Sequence, residues 1–467
     1  MEVKNGKAKN VRIAYIGGGS RGWARYLMGD LFLEERMSGT VVLYDIDKEA
    51  AENNAAIGNK MNKLPEAKSE WNFVTADSLQ EVLTGADYVV ISILPGTFDE
   101  MEVDVHWPEK YGMYQSVGDT VGPGGVIRAL RTIPMFKVIA EAIREYSPNA
   151  WVINYTNPMT VCTRTLYEVF PEIKAFGCCH EVFGTQELIA NIYNAKTGAK
   201  ATRKDIDVNL IGINHFTWVN EIRYQNEDIM PMMKAYAEEH PEGDSAQSLN
   251  WLNKFFCANS AIKTNLFRRY GILAAAGDRH LCEFVPSSWY MKDPELFAEW
   301  KCKLTSVAWR KEDMKKRIEE QKEMAAGKKE VQIVASGEEG VNQMAALAGL
   351  GSYVTNVNIP NRGQISNLPL GAVVETNAYF SGGSVKPLCA GAIPDSVNHL
   401  IIRHVYNQEE VVKGTLAGDY ERVFRVFIND PQMNLTLKDA RKMYDEMLYE
   451  TREYLPDYEK YINGRKV

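Results

Sequence analysis

Short apolar runs alternate with helical patterns over the first 195 residues of the chain. The runs that predict strands lie at 11–16, 40–44, 88–94, 151–155 and 175–177. The helical patterns lie at 23–31, 77–83, 132–146 and 160–169. Strands that alternate with helices in this way form parallel sheets. This half of the chain therefore predicts a Rossmann-type, doubly wound α/β sheet.

The pattern changes after about residue 195. Further strands are predicted at 207–213, 216–224, 353–360 and 372–380. Helical patterns dominate 229–328 and 411–461. A chain of 467 residues exceeds what one core usually serves. We therefore predict two domains, a Rossmann-type domain at 1–195 and an α+β domain at 196–467.

Composition narrows the classes of protein that this chain can be. The net charge of −8 argues against a nucleic-acid-binding protein. No apolar run reaches the roughly 18 residues of a membrane span, and the N-terminus lacks the apolar core of a signal peptide. The 7 Cys are scattered, without the spacing of secreted proteins. We expect reduced thiols and a cytoplasmic protein that binds neither membranes nor nucleic acids.

A glycine-rich turn follows the first predicted strand and opens a helix. Gly17, Gly19 and Gly22 have the G-x-G-x-x-G spacing of dinucleotide-binding turns, with Ser20 inside the same turn. Asp45 follows 23 residues after Gly22, at the end of the second predicted strand. A carboxylate there accepts hydrogen bonds from a ribose diol and repels a 2′-phosphate. The pattern predicts an NAD site, whereas its simpler alternative is a structural turn.

Two more polar loops follow predicted strands, where ligands bind in such sheets. Pro95 ends one strand and could lie against the cofactor. Asn157, which precedes Pro158, could bind the nicotinamide ribose or a substrate hydroxyl. The alternative for Asn157 is a plain turn, because Asn-Pro is common in turns.

A glycine-rich segment at 118–131 leads into the next predicted helix. Its glycines would allow a mobile flap over a substrate, and Arg128 and Arg131 would supply contacts to an anion. A plain flexible connection is the alternative. The sequence does not decide between the two.

Two separate turns carry residues that bind metals. Cys179 as a thiolate and His215 as a neutral imidazole both suit a borderline divalent ion, and two protein ligands leave positions open for substrate. The alternative is a buried cysteine near an unrelated histidine. A third polar turn contains Asp278, a candidate base, and Arg279, a candidate carboxylate ligand; its alternative is a solvated charged turn.

Together these motifs resemble those of glycoside hydrolase family 4, the NAD- and manganese-dependent glycosidases. The matching segments lie at 16–20, 154–158, 179–182, 212–215 and 367–369. The resemblance implies a lactate/malate dehydrogenase-like N-terminal domain and bound NAD and Mn²⁺ or another divalent metal. The sequence Cys-His-Glu-Val at 179–182 resembles the α-galacturonidase subgroup, which implies removal of galacturonate from pectin-derived oligosaccharides in the bacterial cytoplasm.

The resemblance also implies a mechanism of oxidation at C3 of the sugar, deprotonation at C2, β-elimination, addition of water and re-reduction. Cys179 and His215 would hold the metal, which polarises the C3 oxygen. Asn157 would contact sugar hydroxyls, and His180 would lie beside the scissile bond. Asp278 would be the base at C2. The family further implies that 1–195 is the NAD-binding domain, that 196–467 is the catalytic and substrate domain and serves oligomerisation, and that the chain forms a homodimer or a larger even assembly.

The carboxylate of a uronic acid needs an opposing cation in a closed pocket. Arg128, Arg131 and Arg279 are candidates, of which Arg279 and Arg128 are preferred, and the role of Glu181 stays open. Three alternatives also stay open. They are an α-glucuronidase or neutral α-glycosidase of the same family, an NAD-dependent hydroxy-acid dehydrogenase, and a non-catalytic NAD-binding sensor.

Overall fold

The computed structural model describes residues 1–243, 256–257 and 259–464. A single mixed sheet of 14 strands runs through it, in the order β10-β9-β8-β13-β12-β7-β6-β5-β2-β3-β4, while β1, β11 and β14 pair with β2, β9 and β13. The strands are β1 Glu2–Lys4, β2 Lys7–Ile16, β3 Met37–Tyr44, β4 Trp71–Thr75, β5 Tyr88–Ile91, β6 Trp151–Asn154, β7 Lys174–Gly177, β8 Ile206–Ile213, β9 Phe216–Tyr224, β10 Glu227–Asp228, β11 Leu273–Ala274, β12 Ser352–Pro360, β13 Val373–Ser381 and β14 Ser384–Pro387.

The six strands from β7 to β4 are parallel, as the alternating pattern predicts. Along β2, Ile13 and Tyr15 belong to a different hydrophobic cluster from Ala14 and Ile16. Successive side chains point to opposite faces of a strand, so both faces of this sheet are covered. The Rossmann-type fold is therefore confirmed. Its helices are α1 Trp23–Leu33, α2 Lys48–Met61, α3 Leu79–Leu83, α4 Phe98–His106, α5 Gly122–Tyr146, α6 Met159–Val169 and α7 Glu181–Thr197.

The second half of the chain extends the same sheet with antiparallel strands. β12 pairs with β13 along its whole length, and the pair Asn358–Gly177 joins β12 to β7. The loops after β6 and β7 are therefore held beside the turn between β8 and β9. The boundary near residue 195 falls at the end of α7 and stays a prediction.

The remaining helices pack against both halves of the molecule. They are α8 Met230–Glu239, α9 Ala261–Tyr270, α10 Asp278–Leu281, α11 Pro294–Glu299, α12 Val307–Ala326, α13 Gly340–Leu347, α14 Asp395–Leu416, α15 Tyr420–Asn429, α16 Leu437–Glu450 and α17 Tyr458–Gly464. Of these, α12 lies against α2 and α4 of the parallel half. Residues 244–255 of the predicted helical region lie outside the described residues. No helix in the described ranges is long and apolar enough to cross a membrane.

The predicted flap at 118–131 is wrong, and so is the alternative of a flexible connection. Helix α5 begins at Gly122, and its first ten residues are buried. A Cβ on Gly124 would lie 2.4 Å from the backbone oxygen of Asp104, so glycine here permits close packing rather than movement. The carboxylate of Glu283 accepts hydrogen bonds from the backbone N–H of Val117 (2.7 Å) and Gly118 (2.9 Å). The segment is held in place at both ends.

The prediction that all cysteines are reduced is wrong for one pair. Cys257 and Cys302 form a disulfide, with Cα atoms 4.1 Å apart. Cys162, Cys178, Cys179, Cys282 and Cys389 are free. Sequence spacing does not reveal this pair, because 45 residues separate its members.

Candidate active site

The glycine-rich turn lies tightly against the ends of β3 and β5. Gly17 has φ +91°, and a Cβ there would lie 2.0 Å from the carbonyl oxygen of Ser92. The N–H groups of Gly17 and Gly18 both donate to the carbonyl of Tyr44 at 2.9 Å. Gly19 is equally constrained, since its Cβ would lie 2.8 Å from Oδ2 of Asp45. A turn of this kind allows a pyrophosphate to approach the backbone.

Asp45 and Ser20 both organise this turn. Oδ2 of Asp45 accepts from the N–H of Gly19 at 2.8 Å, and Oδ1 accepts from the N–H of Asp47 at 2.9 Å. Oγ of Ser20 accepts from the N–H of Trp23 at 3.1 Å, at the start of α1. Carboxylate oxygens have further lone pairs, so these bonds leave room for a ribose diol. The contacts of these residues with NAD stay predictions.

Replacing Gly19 with alanine is expected to weaken NAD binding by at least about tenfold, because the new Cβ displaces the Asp45 carboxylate and this costs at least about 1.4 kcal/mol. Gly22→Ala is the matched control, because a Cβ there meets only the flexible end of Arg317, at 3.3 Å. Isothermal titration of both variants with NAD measures the difference. Equal affinities of the two variants would show that the close approach at Gly19 is unimportant.

Three side chains of metal-binding types converge in another part of the structure. Ligand atoms of Asp119, His215 and His280 all lie within 4.8 Å of one another. His215 lies in the two-residue turn between β8 and β9, with φ +63°. Its ring stacks on that of His280, with centroids 3.8 Å apart and planes at 24°. Oγ1 of Thr120 lies 3.1 Å from Nδ1 of His215 and fixes the ring.

The electrostatics of this group suit a cation. Burial, and then the neighbouring His280, lower the pKa of His215 to about 3, so its imidazole is neutral. Burial opposes ionisation of Asp119, but the guanidinium of Arg128 holds the pKa of its carboxyl well below the usual range. A neutral imidazole and a carboxylate are ligands for Mn²⁺, Zn²⁺ and similar ions. Nδ1 of His280 is buried without a hydrogen-bond partner among the described residues.

Cys179 is close to this group but is not one of its three members. It is buried just after the end of β7, close to Asn214, the residue before His215. Burial, and then Glu375 and Glu181, raise the pKa of the thiol well above its ordinary value. A thiolate here therefore needs a nearby cation. The role of Cys179 as a metal ligand stays a prediction.

His180 and Glu181 follow Cys179 at the start of α7. Nδ1 of His180 lies 3.2 Å from Oε1 of Glu338, and its ring packs on Trp23 with centroids 5.8 Å apart. Burial opposes the charge on His180, but Glu338 raises its pKa to about 9. Oε2 of Glu181 accepts from the N–H of Gly277 at 2.7 Å. Glu181 therefore anchors the turn before α10 rather than pairing with an arginine among the described residues.

Asn157 is brought to the same centre. Its Nδ2 donates to Oδ2 of Asp119 at 3.3 Å, and its backbone oxygen accepts from Nε of Arg128 at 3.2 Å. The Asn157–Pro158 peptide bond is cis. Oδ1 of Asn157 and Nη1 of Arg128 are both buried without a partner in the described part of the chain. Buried polar atoms without a protein partner usually hydrogen-bond to a ligand or an ordered water.

The arginine candidates for the substrate carboxylate separate into two kinds. Nη2 of Arg279 donates to Thr305 at 2.9 Å and its guanidinium lies 4.7 Å from the centre of the Phe256 ring, while its buried Nε has no partner among the described residues. Arg131 instead forms a fully buried ion pair with Asp104 and donates to the carbonyl of Pro95 at 3.0 Å. The guanidinium of Arg131 is therefore already bound by protein groups, the carboxylate of Asp104 and the carbonyl of Pro95. Contact of Pro95 with the cofactor stays a prediction.

Asp278, the predicted base, caps a helix in the structure. Its two carboxylate oxygens accept from the N–H groups of Ile262 and Lys263, both at 2.9 Å, at the start of α9. Burial raises its pKa. It does not belong to the group of Asp119, His215 and His280. Its position supports a structural role, and the role as a base stays a prediction.

Asp278→Asn separates these two roles. The amide cannot accept both N–H groups, so we expect the free energy of unfolding to fall by about 2–3 kcal/mol. Thermal denaturation measures that loss. If Asp278 is only a cap, kcat below the melting transition stays near the wild-type value. If Asp278 is also the base, kcat falls by at least about 100-fold in protein that is still folded.

Residues that the sequence patterns do not single out complete the site. Asp119 and His280 lie inside motifs, where only their neighbours stand out as candidates. Glu338 lies 158 residues after its partner His180 in the sequence, and no motif marks it. The glycines around Asp119 are the sequence feature that marks this segment, because they permit the close backbone packing that positions the Asp119 side chain.

Comparisons with known proteins identify the family of this chain. The model of the family 4 glycosyl hydrolases matches residues 12–195, and the model of their C-terminal domain matches residues 210–433. An alpha-galacturonidase from Thermoanaerobacterium saccharolyticum is 55% identical, over 97% of this chain and 98% of that protein. The crystal structure of the putative glucosidase lplD from Bacillus subtilis is 49% identical, with a TM-score of 0.89 over 94% of this chain and 100% of that one.

A more distant structure shares the fold. A 6-phospho-alpha-glucosidase from gut microorganisms, in complex with NAD and Mn²⁺, is 20% identical, with a TM-score of 0.79 over 96% of this chain and 99% of that one. The two family models together span most of this chain. The first covers the parallel strands up to β7, and the second covers most of the antiparallel part of the sheet. This chain belongs to glycoside hydrolase family 4.

Proposed function

We propose that this protein is an NAD- and manganese-dependent α-galacturonidase. The choice of an acidic substrate rests on one observation, the unpartnered N–H groups of two buried arginines. Arg128 and Arg279 are 5% and 3% exposed, and each has a buried N–H without a partner among the described residues, beside the group of Asp119, His215 and His280. A buried guanidinium with a free donor is a site for an anion. Relatives that are 50–55% identical over nearly the whole chain are alpha-galacturonidases.

The charges at this centre favour a uronic acid over a neutral sugar. Burying an uncompensated cation is costly, and a hydroxymethyl group at C5 would leave that cost in place. A carboxylate at the same position accepts charge-assisted hydrogen bonds, which are about twice as strong as neutral ones. The dehydrogenase and sensor alternatives lose support with membership of the glycosidase family.

The residues present fit both cofactors. The turn from Gly17 to Gly22 would hold NAD, because side chains at Gly17 and Gly19 would collide with the ends of β3 and β5. Asp119, His215 and His280, with Cys179 nearby, offer the donor types of a divalent metal site. When bound, NAD supplies hydride chemistry at the sugar and the metal polarises the C3 oxygen.

The chain's own residues bind and orient the sugar. The free Oδ1 of Asn157 accepts from a sugar hydroxyl. His180 carries a proton near the scissile bond, since its side chain is 38% exposed and Glu338 stabilises its cationic form. The rings of Trp23 and Tyr155 stack with centroids 5.7 Å apart, and the ring of His180 packs against Trp23. Arg128 and Arg279 fix the carboxylate end.

Release of nitrophenol from three substrates tests this function. Nitrophenyl α-galacturonide, α-glucuronide and α-galactoside are compared with and without NAD and Mn²⁺, under a reductant. We expect release from the galacturonide only when both cofactors are present. Faster release from the glucuronide would make the protein an α-glucuronidase. Release without NAD would contradict the proposed dependence on the cofactor.

We also propose a cytoplasmic location and a homodimer or larger even assembly. Free, buried Cys179 favours a reducing compartment, since a metal-binding thiolate is lost on oxidation, although the Cys257–Cys302 disulfide argues the other way. The assembly rests on resemblance to the family. Sedimentation equilibrium of the purified full chain tests it, and a monomer at micromolar concentration would contradict it.

A further inference from the structure

Helix α12 spans the distance from the cofactor turn to the candidate active site. Nε2 of Gln321 donates to Oδ1 of Asn54 at 2.8 Å, and Nη1 of Arg317 lies 3.3 Å from the position of a Cβ on Gly22. Arg310 precedes these residues by 11 and 7 positions. Spacings of 7 and 11 place residues on one face of an α-helix. Arg310 is therefore on the face that α12 turns toward the N-terminal domain.

The start of α12 is tied to the active site. Oγ1 of Thr305 accepts from Nη2 of Arg279 at 2.9 Å, and Oγ of Ser306 accepts from the N–H of Trp309 to cap the helix. The N–H of Val307 donates to Nε2 of His106 at 3.1 Å. The first turn of α12 thus has a fixed position beside Arg279. Arg310 follows directly from that turn.

The guanidinium of Arg310 has no counter-ion among the described residues. The nearest carboxylate along the helix, Asp313, pairs with Nε of Arg317 at 2.5 Å. Burial, and then the repulsion of Arg279, lower the pKa of Arg310 to about 10, and Asp119 and Arg128 also lie within its electrostatic range. Three guanidinium groups, those of Arg128, Arg279 and Arg310, therefore share one region.

Unpartnered donors in this region leave space for one anion. Nη1 of Arg128 and Nε of Arg279 are both buried without a partner among the described residues. A single carboxylate from a ligand would accept charge-assisted hydrogen bonds from these groups and from Arg310.

We propose that Arg310 determines specificity by binding the carboxylate of the galacturonate unit that is cleaved. The inference rests on the proposed function and names a residue of the same site. Arg128 and Arg279 are buried at the base of this site, whereas Arg310 is half-buried at its edge. An anion that enters from solvent would meet Arg310 and then the free N–H groups behind it.

Steady-state kinetics of Arg310→Met test the proposal. Nitrophenyl α-galacturonide and nitrophenyl α-galactoside have the same stereochemistry and differ in the carboxylate. We expect kcat/KM for the galacturonide to fall by about 100-fold, the effect of one buried charge-assisted bond, while the galactoside rate stays equal or rises. Arg310→Lys should recover part of the loss. Lys315→Met, on an exposed part of the same helix, is the matched control and should keep wild-type kinetics.

The outcomes separate the two proposals. Wild-type enzyme without galacturonide activity overturns the proposed function, and this inference with it. Active wild-type enzyme whose Arg310→Met variant keeps the same preference overturns the inference alone. A loss confined to digalacturonate, with the nitrophenyl galacturonide unaffected, also overturns it, because Arg310 would then bind the leaving sugar. NAD titration and melting temperature identify a misfolded variant, and Arg310→Lys then serves for the comparison.

Discussion

Replacing Cys179 with serine is expected to lower kcat for nitrophenyl α-galacturonide by at least about 1,000-fold, or about 4 kcal/mol in activation free energy. The thiol is buried beside the turn that carries His215, where a serine hydroxyl is a much weaker ligand for a borderline divalent metal. The cofactor turn lies at other strand ends, so NAD affinity should change by less than about twofold. Kinetics and NAD titration on the same preparation measure both quantities.

Two variants serve as comparisons for Cys179→Ser. Cys178 is an equally buried neighbour in the hydrophobic core, so Cys178→Ser should affect stability and leave most of kcat. His215→Asn should weaken binding of Mn²⁺ as Cys179→Ser does, and asparagine tolerates the left-handed backbone of that turn. Electron paramagnetic resonance of free Mn²⁺ measures binding without turnover. Full turnover by Cys179→Ser would remove the metal role of this residue.

Replacing Arg131 with methionine is expected to lower the free energy of unfolding by about 3–5 kcal/mol, because it leaves the carboxylate of Asp104 buried without a partner. Both side chains are fully buried, and Nη1 of Arg131 donates to Oδ1 of Asp104 at 2.8 Å. Arg131 also holds the carbonyl of Pro95. Chemical denaturation of the purified variant measures the loss.

A double variant identifies the cause of that loss. Asp104→Asn combined with Arg131→Met removes the uncompensated charge, so it should recover part of the stability that Arg131→Met loses. Preference for galacturonide over galactoside should stay unchanged in both variants, since Arg131 is occupied. A change in that preference would return Arg131 to the candidates for the substrate carboxylate.

Strand and helix patterns predict the parallel half of the sheet well. The apolar run at 11–16 lies within β2, and the run at 151–155 contains β6. These strands are buried on one or both faces, so a run of apolar residues in the sequence directly indicates a strand inside the sheet. The glycine-rich turn is also predictable, because steric limits at Gly17 and Gly19 act over a few residues.

Contacts between distant segments are not predictable in the same way. Asp119 and His215 come from two loops and His280 from the short helix α10, and these segments meet through the packing of α5 and the pairing of β12 with β7. The glycines at 122–125 suggest flexibility in isolation, whereas in the structure they allow backbone atoms to pack closely. The polar turn around Asp278 suggests a base from sequence, whereas the bonds of its carboxylate to the N–H groups of α9 depend on tertiary packing.

Hydrolysis of α-galacturonide in D₂O tests the central claim most directly. A mechanism with oxidation at C3 and deprotonation at C2 exchanges the C2 proton with solvent, and the cofactor is regenerated in each cycle. We therefore expect galacturonate that carries one deuterium at C2, with no net formation of NADH. Proton NMR of the product and absorbance at the NADH band measure both quantities. Product without deuterium at C2 would contradict the account, because direct displacement at the anomeric carbon leaves C2 untouched.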